Sequence, residues 1–270
     1  FYYQFQTPKV TAAAGIFTRD MMHDDDYSTA FFSESERFFH NRMNGVLAQY
    51  NGKRNSYVEF VCDWEGMYST LSREKFRILL AGRHYLDTFY YGFNYSMFHY
   101  AGQQGAPIEN VVDLQLLNPC VGVRFNAFFD FDIKLGALLT AQRDRSFGHS
   151  WEKPCMGEFA FRISRWGLSL DERLYVGDNI HPFFYGHELE DGTPLPYGRE
   201  LYAAESFFRT DQKVYSRTAL SYRRSFFDDT VSVRAEFAAH HDGTALGTQQ
   251  MLVVGVKLLK TVYNSKNHKK

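Results

Sequence analysis

Along most of this chain apolar and polar residues alternate one by one. In DTVSVRAEFAAHH (229–241), Val231, Val233, Ala235, Phe237 and Ala239 form one row. Thr230, Ser232, Arg234, Glu236, Ala238 and His240 form the other. A period of two is that of a β-strand with one apolar and one charged face. Segments of about ten residues with this pattern recur, which is the length of a tilted spanning strand. They are 9–19, 43–51, 55–66, 73–85, 88–100, 119–129, 132–144, 155–165, 166–177, 213–224, 229–241 and 246–259. The pattern predicts about 12 strands, or 14 if the opening FYYQFQT also pairs and a partner strand exists.

The connections alternate in length. Long ones cover 20–42, 101–118, 145–154 and 178–212, with a medium one at MYSTLS; between them stand short turns such as GKR, LD and DF. A meander sandwich has no reason for that rhythm. An up-and-down barrel in the outer membrane has one, because its extracellular loops are long and its periplasmic turns short. Twelve strands in this phase put both ends on the short-turn side. The expected architecture is therefore an all-β, closed antiparallel barrel forming one domain over 1–270. Residues 260–270 are expected to form a disordered tail, and an N-terminal part to be missing, since no leader precedes the first strand.

The charged face holds Glu59, Asp63, Glu65, Lys75, Arg77, Arg83, Arg124, Lys134, Glu158, Arg162, Asp171, Arg173, Arg217, Arg223, Arg234, Glu236 and Lys257. In a membrane barrel these residues line the lumen, and Val231, Val233, Phe237, Phe125 and Phe161 face lipid. A soluble barrel or sandwich would reverse the two faces. Apolar rows on nearly every strand, rich in Phe and Trp, favour the membrane arrangement. Basic residues outnumber acidic ones on the inferred lumen face. Glu59, Asp63 and Glu65 are expected to pair across strands with Lys75, Arg77 and Arg83. Arg217, Arg223 and Arg234 are expected to remain unpaired as a basic wall, giving a weak anion preference.

Composition agrees with strands. The chain is 44% hydrophobic and 17% aromatic, yet has no apolar run near the roughly 20 residues of a membrane helix. A formal net charge of -1 offers nothing to nucleic acid. Cys62, Cys120 and Cys155 show no metal spacing; three cysteines allow one disulfide, but they read first as unpaired thiols.

The stretches AGIFTRDMMHDDDYSTAFFSESERFFHNRMNGVLAQY and YVEFVCDWEGMYSTLSREKFRILLAGRHY carry a resemblance. So do YSMFHYAG, RTDQKVYSR and HHDGTALGTQQ. The chain resembles porin-like outer-membrane β-barrel proteins of Bacteroidetes over most of its length. The resemblance implies a closed antiparallel barrel in the bacterial outer membrane and supplies no catalytic residue. Its partners would be the lipid bilayer, lipopolysaccharide, small hydrophilic solutes and a further outer-membrane protein. After VVGVKLL the chain continues through KTVYNSKNHKK, where such barrels end on an aromatic.

Candidate chemistry is sparse. His149 with Ser150, and Ser96 with His99, stand an odd number of residues apart, so a strand points them to opposite faces. His23 with Asp24, Asp25 and Asp26 has the ligand types of a Ca²⁺ loop. A solvated acidic loop tip is the simpler reading. His240 and His241 beside Asp242 read as rim residues. No cofactor and no metal is expected. SESERFFHNR predicts a short helix capped by Ser33 and Glu36, able to constrict a barrel mouth. A channel for small hydrophilic solutes is the leading functional reading. A non-conducting barrel working through its loops and a membrane-embedded hydrolase are the alternatives.

Overall fold

The computed structural model describes residues 1–106, 111–145, 150–183, 201–210 and 212–256. Thirteen strands form one sheet in sequence order, every neighbouring pair antiparallel. They are β1 (Tyr2–Gln6), β2 (Val10–Thr18), β3 (Arg42–Asn51), β4 (Tyr57–Gly66), β5 (Lys75–Leu86), β6 (Phe89–Tyr100) and β7 (Val112–Asn126). Then follow β8 (Asp130–Asp144), β9 (Cys155–Arg165), β10 (Leu168–Gly177), β11 (Val214–Phe226), β12 (Val231–His241) and β13 (Leu246–Val256). One short helix, α1 (Glu34–Phe39), lies in the first long connection.

Four expectations change. The opening segment is a strand, paired with β2 from Tyr2 opposite Gly15 to Gln6 opposite Thr11. With thirteen strands, β1 starts toward the long-loop end and β13 finishes at the short-turn end, so the two ends do not share a side. The closed barrel is not observed: β1 and β13 are the two edges of the sheet, and no ladder joins them. In an alternating meander every odd-numbered strand runs the same way. An antiparallel β1–β13 ladder is therefore ruled out by direction. Finally, β7 begins at Val112, inside a stretch expected to be loop.

Long and short connections do fall at opposite ends. Residues 7–9, 52–56, 87–88, 127–129, 166–167 and 227–230 make the short-turn end. Two of them have only two residues, 87–88 and Trp166–Gly167, and in the second both residues have positive φ (53° and 83°). That geometry matches the twist of a two-residue hairpin, and glycine adopts it without strain. The last connection at the other end, 242–245, is also short, so the rhythm fades at the final hairpin.

The sheet curls round the first long connection, 19–41. That segment touches β3 through Gln49 and β4 through Glu59. It touches β5 through Arg83, β10 through Tyr175 and β12 through Arg234. Its residues Tyr27 to Phe32 are fully enclosed. They join Phe17, Met43, Leu47, Val61, Leu79, Phe207, Phe208 and Tyr215 in the largest apolar core, which lies inside the concave face. The convex face is apolar and exposed. Leu135 (57%), Val121 (57%), Leu220 (54%) and Val254 (60%) are among its members.

Candidate functional site

The concave face is divided between a plug and a cavity. Residues 19–41 and the described parts of 178–213 make the plug. The two pieces are tied by backbone: Ser33 N–H donates to Ala203 O (2.7 Å) and Glu205 N–H to Thr29 O (3.0 Å). Ser33 caps α1 as its sequence predicts, accepting from Glu36 N–H at 2.9 Å. The return half of that capping box is not formed. Glu36 instead reaches His40 (2.7 Å), and Ser33 N–H is taken by Ala203.

Polar plug residues meet partners on the wall. Glu59 accepts from Gln49 (2.6 Å), from His23 N–H (2.9 Å) and from the Tyr27 hydroxyl (3.2 Å). Burial, then the neighbouring Glu59 carboxylate, push the Tyr27 hydroxyl well above its ordinary pKa. Asp26 accepts from Arg83 and the Tyr57 hydroxyl, each at 2.6 Å. Ser28 and Thr29 meet the Tyr175 hydroxyl at 2.9 and 3.0 Å, and Tyr175 donates to Glu158 (3.1 Å). Glu158 also receives Lys134 (3.0 Å) and Asn118 (3.0 Å). The Phe32 ring lies between two guanidiniums, Arg19 at 4.1 Å and Arg77 at 5.5 Å.

The acidic triplet is therefore not a solvated tip. Its segment turns inward, where Asp24 pairs with Arg37 (2.9 Å) and Asp26 with Arg83, while Asp25 alone is exposed. The His23 ring stacks on Tyr57 at 3.7 Å. Burial pushes the Asp24 carboxyl above the usual range despite Arg37. Loop residues carry no alternating pattern, so nothing in the sequence announces which of them fold back.

Beside the plug is a cavity of about 1490 Å³. One side is plug: Met22, His23, Asp24, Asp25, Asp26, Glu34, Arg37 and Phe38. The other is strand wall, and it reaches the short turns at Gly52, Asn55, Trp166 and Gly167. The acids of the lining come mostly from the plug segment, the bases mostly from the strands: Arg124, Arg162, Arg165, Arg173, Arg217, Arg223 and Arg234.

Of the seventeen charged positions singled out by alternation, sixteen share a face with the buried rows, and Lys257 lies outside the described residues. Asp63 stands opposite Arg77, and Arg77 binds Glu65 (3.1 Å). Lys134 meets Glu158, and Arg124 binds Asp132 (2.7 Å). Arg162 pairs with Asp171. Lys75 opens β5 beside Gly66. Two expectations fail. Arg83 does not serve Glu59 across the ladder, because the plug inserts between them and supplies Asp26. Nor do Arg217 and Arg234 stay unpaired. Glu236 binds both, at 2.6 and 2.5 Å. Only Arg223 of that trio has no ion-pair partner among the described residues, and it faces Arg234 directly. The expected wall is largely neutralised.

The catalytic candidates stay apart. Ser96 is buried on the concave side and His99 sits on the convex side against Asp113 (3.5 Å). His149 lies outside the described residues. His240 contacts the Tyr215 hydroxyl, and Asp242 closes the last turn by accepting from Thr244 and Ala245.

Compared with protein-family models, curated proteins and solved structures, the chain matches none.

Proposed function

We propose that this chain is a porin-like β-barrel of the bacterial outer membrane, held closed by its own first long loop. One observation carries the reading. The apolar convex face is a bounded belt, not a whole surface. On β8, Phe131, Ile133, Leu135 and Leu139 point outward, and Arg143 follows on the same side. The nine residues from Phe131 to Leu139 rise ~23 Å when tilted by ~40°, close to the ~25 Å apolar band of such barrels. Aromatics cluster at both borders: Phe89, Phe128, Trp166 and Phe227 near the short turns, Trp64, Tyr68 and Trp151 near the long loops.

A spanning sheet must satisfy every backbone group. The β1 and β13 edges run in the same direction, so one further strand, antiparallel to both, would seal the seam and make the number even. Small hydrophilic solutes would enter the cavity from the short-turn side and pass only when the plug withdraws. A second reading, a barrel that never conducts, is favoured by the aromatic core of the plug.

Planar-bilayer recordings separate the two. The intact protein is expected to conduct poorly, and deletion of residues 22–36 to open it. Silent bilayers with the deleted protein would leave the non-conducting reading. Release by carbonate without detergent would refute the membrane reading itself.

A further inference from the structure

Four arginines gather where α1 meets β10, β11 and β12. Arg173 stands directly opposite Arg217, and Arg223 directly opposite Arg234. Like charges in opposed positions repel, so the strands alone do not favour this grouping. Two carboxylates serve the four. Glu236 binds Arg217 and Arg234. Glu34, at the start of α1, lies 3.9 Å from Arg234 and 3.4 Å from Arg37, and its backbone N–H donates to Glu205 at 2.9 Å. Of the other acids nearby, Asp171 is engaged by Arg162, Glu158 by Lys134 and Glu205 by the Glu34 N–H, while Asp25 is exposed and acts on Arg234 without an ion pair to it. Donors are left over. Arg217 is almost wholly buried, and its Nε has no hydrogen-bond partner; nor has the buried Nη1 of Arg173. All four arginines and Glu34 line the cavity. Burial alone would push the Glu34 carboxyl up, but Arg37, Arg234, Arg217 and Arg173 outweigh it and hold it below the usual range. The field at this point favours negative charge beyond what the strands supply.

We propose that Arg173, Arg217, Arg223 and Arg234 form a binding site for a small multivalent anion, a solute bearing phosphate or several carboxylates, and that Glu34 occupies it as a tethered stand-in. When Glu34 withdraws, Glu236 is the one carboxylate among the described residues still ion-paired to any of the four guanidiniums, with Asp25 and Glu205 farther off, and a deficit of negative charge remains. A free anion of two or three charges matches that deficit better than one carboxylate, so it competes with Glu34 and loosens α1. The proposal rests on the reading of the lumen as a solute pathway and gives that pathway its substrate class. It also replaces a continuous basic wall by one discrete site.

The test uses the whole protein in detergent, with the native cysteines replaced by Ser and a nitroxide on Ser35→Cys, an exposed position of α1. Phosphate, citrate and chloride are titrated at constant ionic strength, with calorimetry in parallel. Phosphate or citrate at millimolar level should release a mobile spectral component that chloride does not. Whichever of the two acts identifies the anion. Glu34→Gln should bind that anion about tenfold tighter, because the competitor is gone, and Arg223→Gln about tenfold weaker. Arg223 is exposed and free of ion pairs, so its replacement leaves the fold intact. An equal response to chloride would mean simple screening and overturn the proposal. So would absence of binding to both wild type and Glu34→Gln. Conductance of the 22–36 deletion is scored separately. Binding without conductance refutes the pathway and keeps the site; conductance without binding refutes the site and keeps the pathway.

Discussion

The two ends of this sheet are built on opposite rules. Toward the short turns, β7 and β8 are apolar outside (Val121, Phe125, Phe131, Leu135) and charged inside (Arg124, Asp132, Lys134). Toward the long loops β7 is apolar inside and charged outside, and β8 follows it as far as Leu138, before its inward positions turn polar at Thr140, Gln142 and Asp144. Val112, Leu114, Leu116 and Leu138 are buried against the plug side, while Asp113, Arg143 and Arg145 form a cluster on the convex face. One strand, β7, carries both rules, so the difference lies in surroundings and not in backbone. Inside, polarity changes where water in the cavity gives way to plug. Outside, it changes where apolar side chains give way to a charged rim. Side-chain polarity thus reports the local solvent on each face separately.

The sharpest way to test the plugged end is to remove its packing. Phe32→Ala takes away a fully buried ring held between Arg19 and Arg77. The expected loss is about 3–5 kcal/mol in urea unfolding of the protein folded into lipid vesicles. A loss under 1 kcal/mol would show that the plug is loosely held and that the inverted region is not a core.

The open end was the legible one. Alternation in 119–165 marks its inward charges and outward aromatics because a period of two follows from backbone geometry alone. The plugged end was not legible for the same reason. VVDLQLL alternates as well, but its apolar positions share parity with the inward charged residues, so it reads as a loop until something apolar fills the concave face. The filler is itself aperiodic: nothing local distinguishes Tyr27–Phe32, which folds inward, from an exposed loop. Arg234 and Glu236 share one charged row and Arg217 lies on the next strand, and spacing alone does not tell a partner from a neighbour in either direction. The opening strand is hard to read because five residues are too few to establish a period.

At the open end the matching change is Leu135→Arg, outward near the middle of the belt. It is expected to cost ~2–4 kcal/mol in the same unfolding assay, against ~0–1 kcal/mol for Gln115→Arg on the rim. Equal costs would erase the boundary on which the comparison depends.

Where the two regions meet, Glu34 ties the plug to the arginines of the open end. Its Glu34→Gln variant should lower stability by about 1.5–3 kcal/mol at neutral pH, as loss of a charge-assisted contact does. The pH dependence has a definite sign. A carboxyl held below its usual range contributes stability above its ordinary pKa of about 4.5 and loses it as pH falls through the lowered value. Asp24, pushed up by burial, acts in the opposite sense: its protonation comes first and relieves a penalty. The label on α1 should therefore stay immobile on mild acidification and free itself only once the pH falls below the ordinary carboxyl range. In Glu34→Gln that step should be absent. A release near pH 6 would place the latch on another group.

The smallest effect belongs to the charged rim. Asp113 binds Arg143 and Arg145 at 2.8 Å each, with His99 at 3.5 Å, and Arg143 lies over the Trp151 ring at 4.5 Å. The geometry is good, yet Arg145 is half exposed and Arg143 a quarter exposed. In contact with bulk water such a cluster is worth ~0–1 kcal/mol, and salt screens it over ~3 Å at 1 M. Asp113→Asn should cost no more than that, and the cost should vanish at 1 M salt. The corresponding change at the open end, Asp132→Asn, removes the partner of Arg124, which is half exposed, and of the buried Tyr90 hydroxyl. The share due to Arg124 should vanish at 1 M salt, and the share due to the buried Tyr90 hydrogen bond should persist. If Asp113→Asn instead costs several kcal/mol whatever the salt, the rim sits in a low-dielectric medium. The apolar belt would then extend past β8's Arg143, and the division of the sheet into two regimes would have to be redrawn above it.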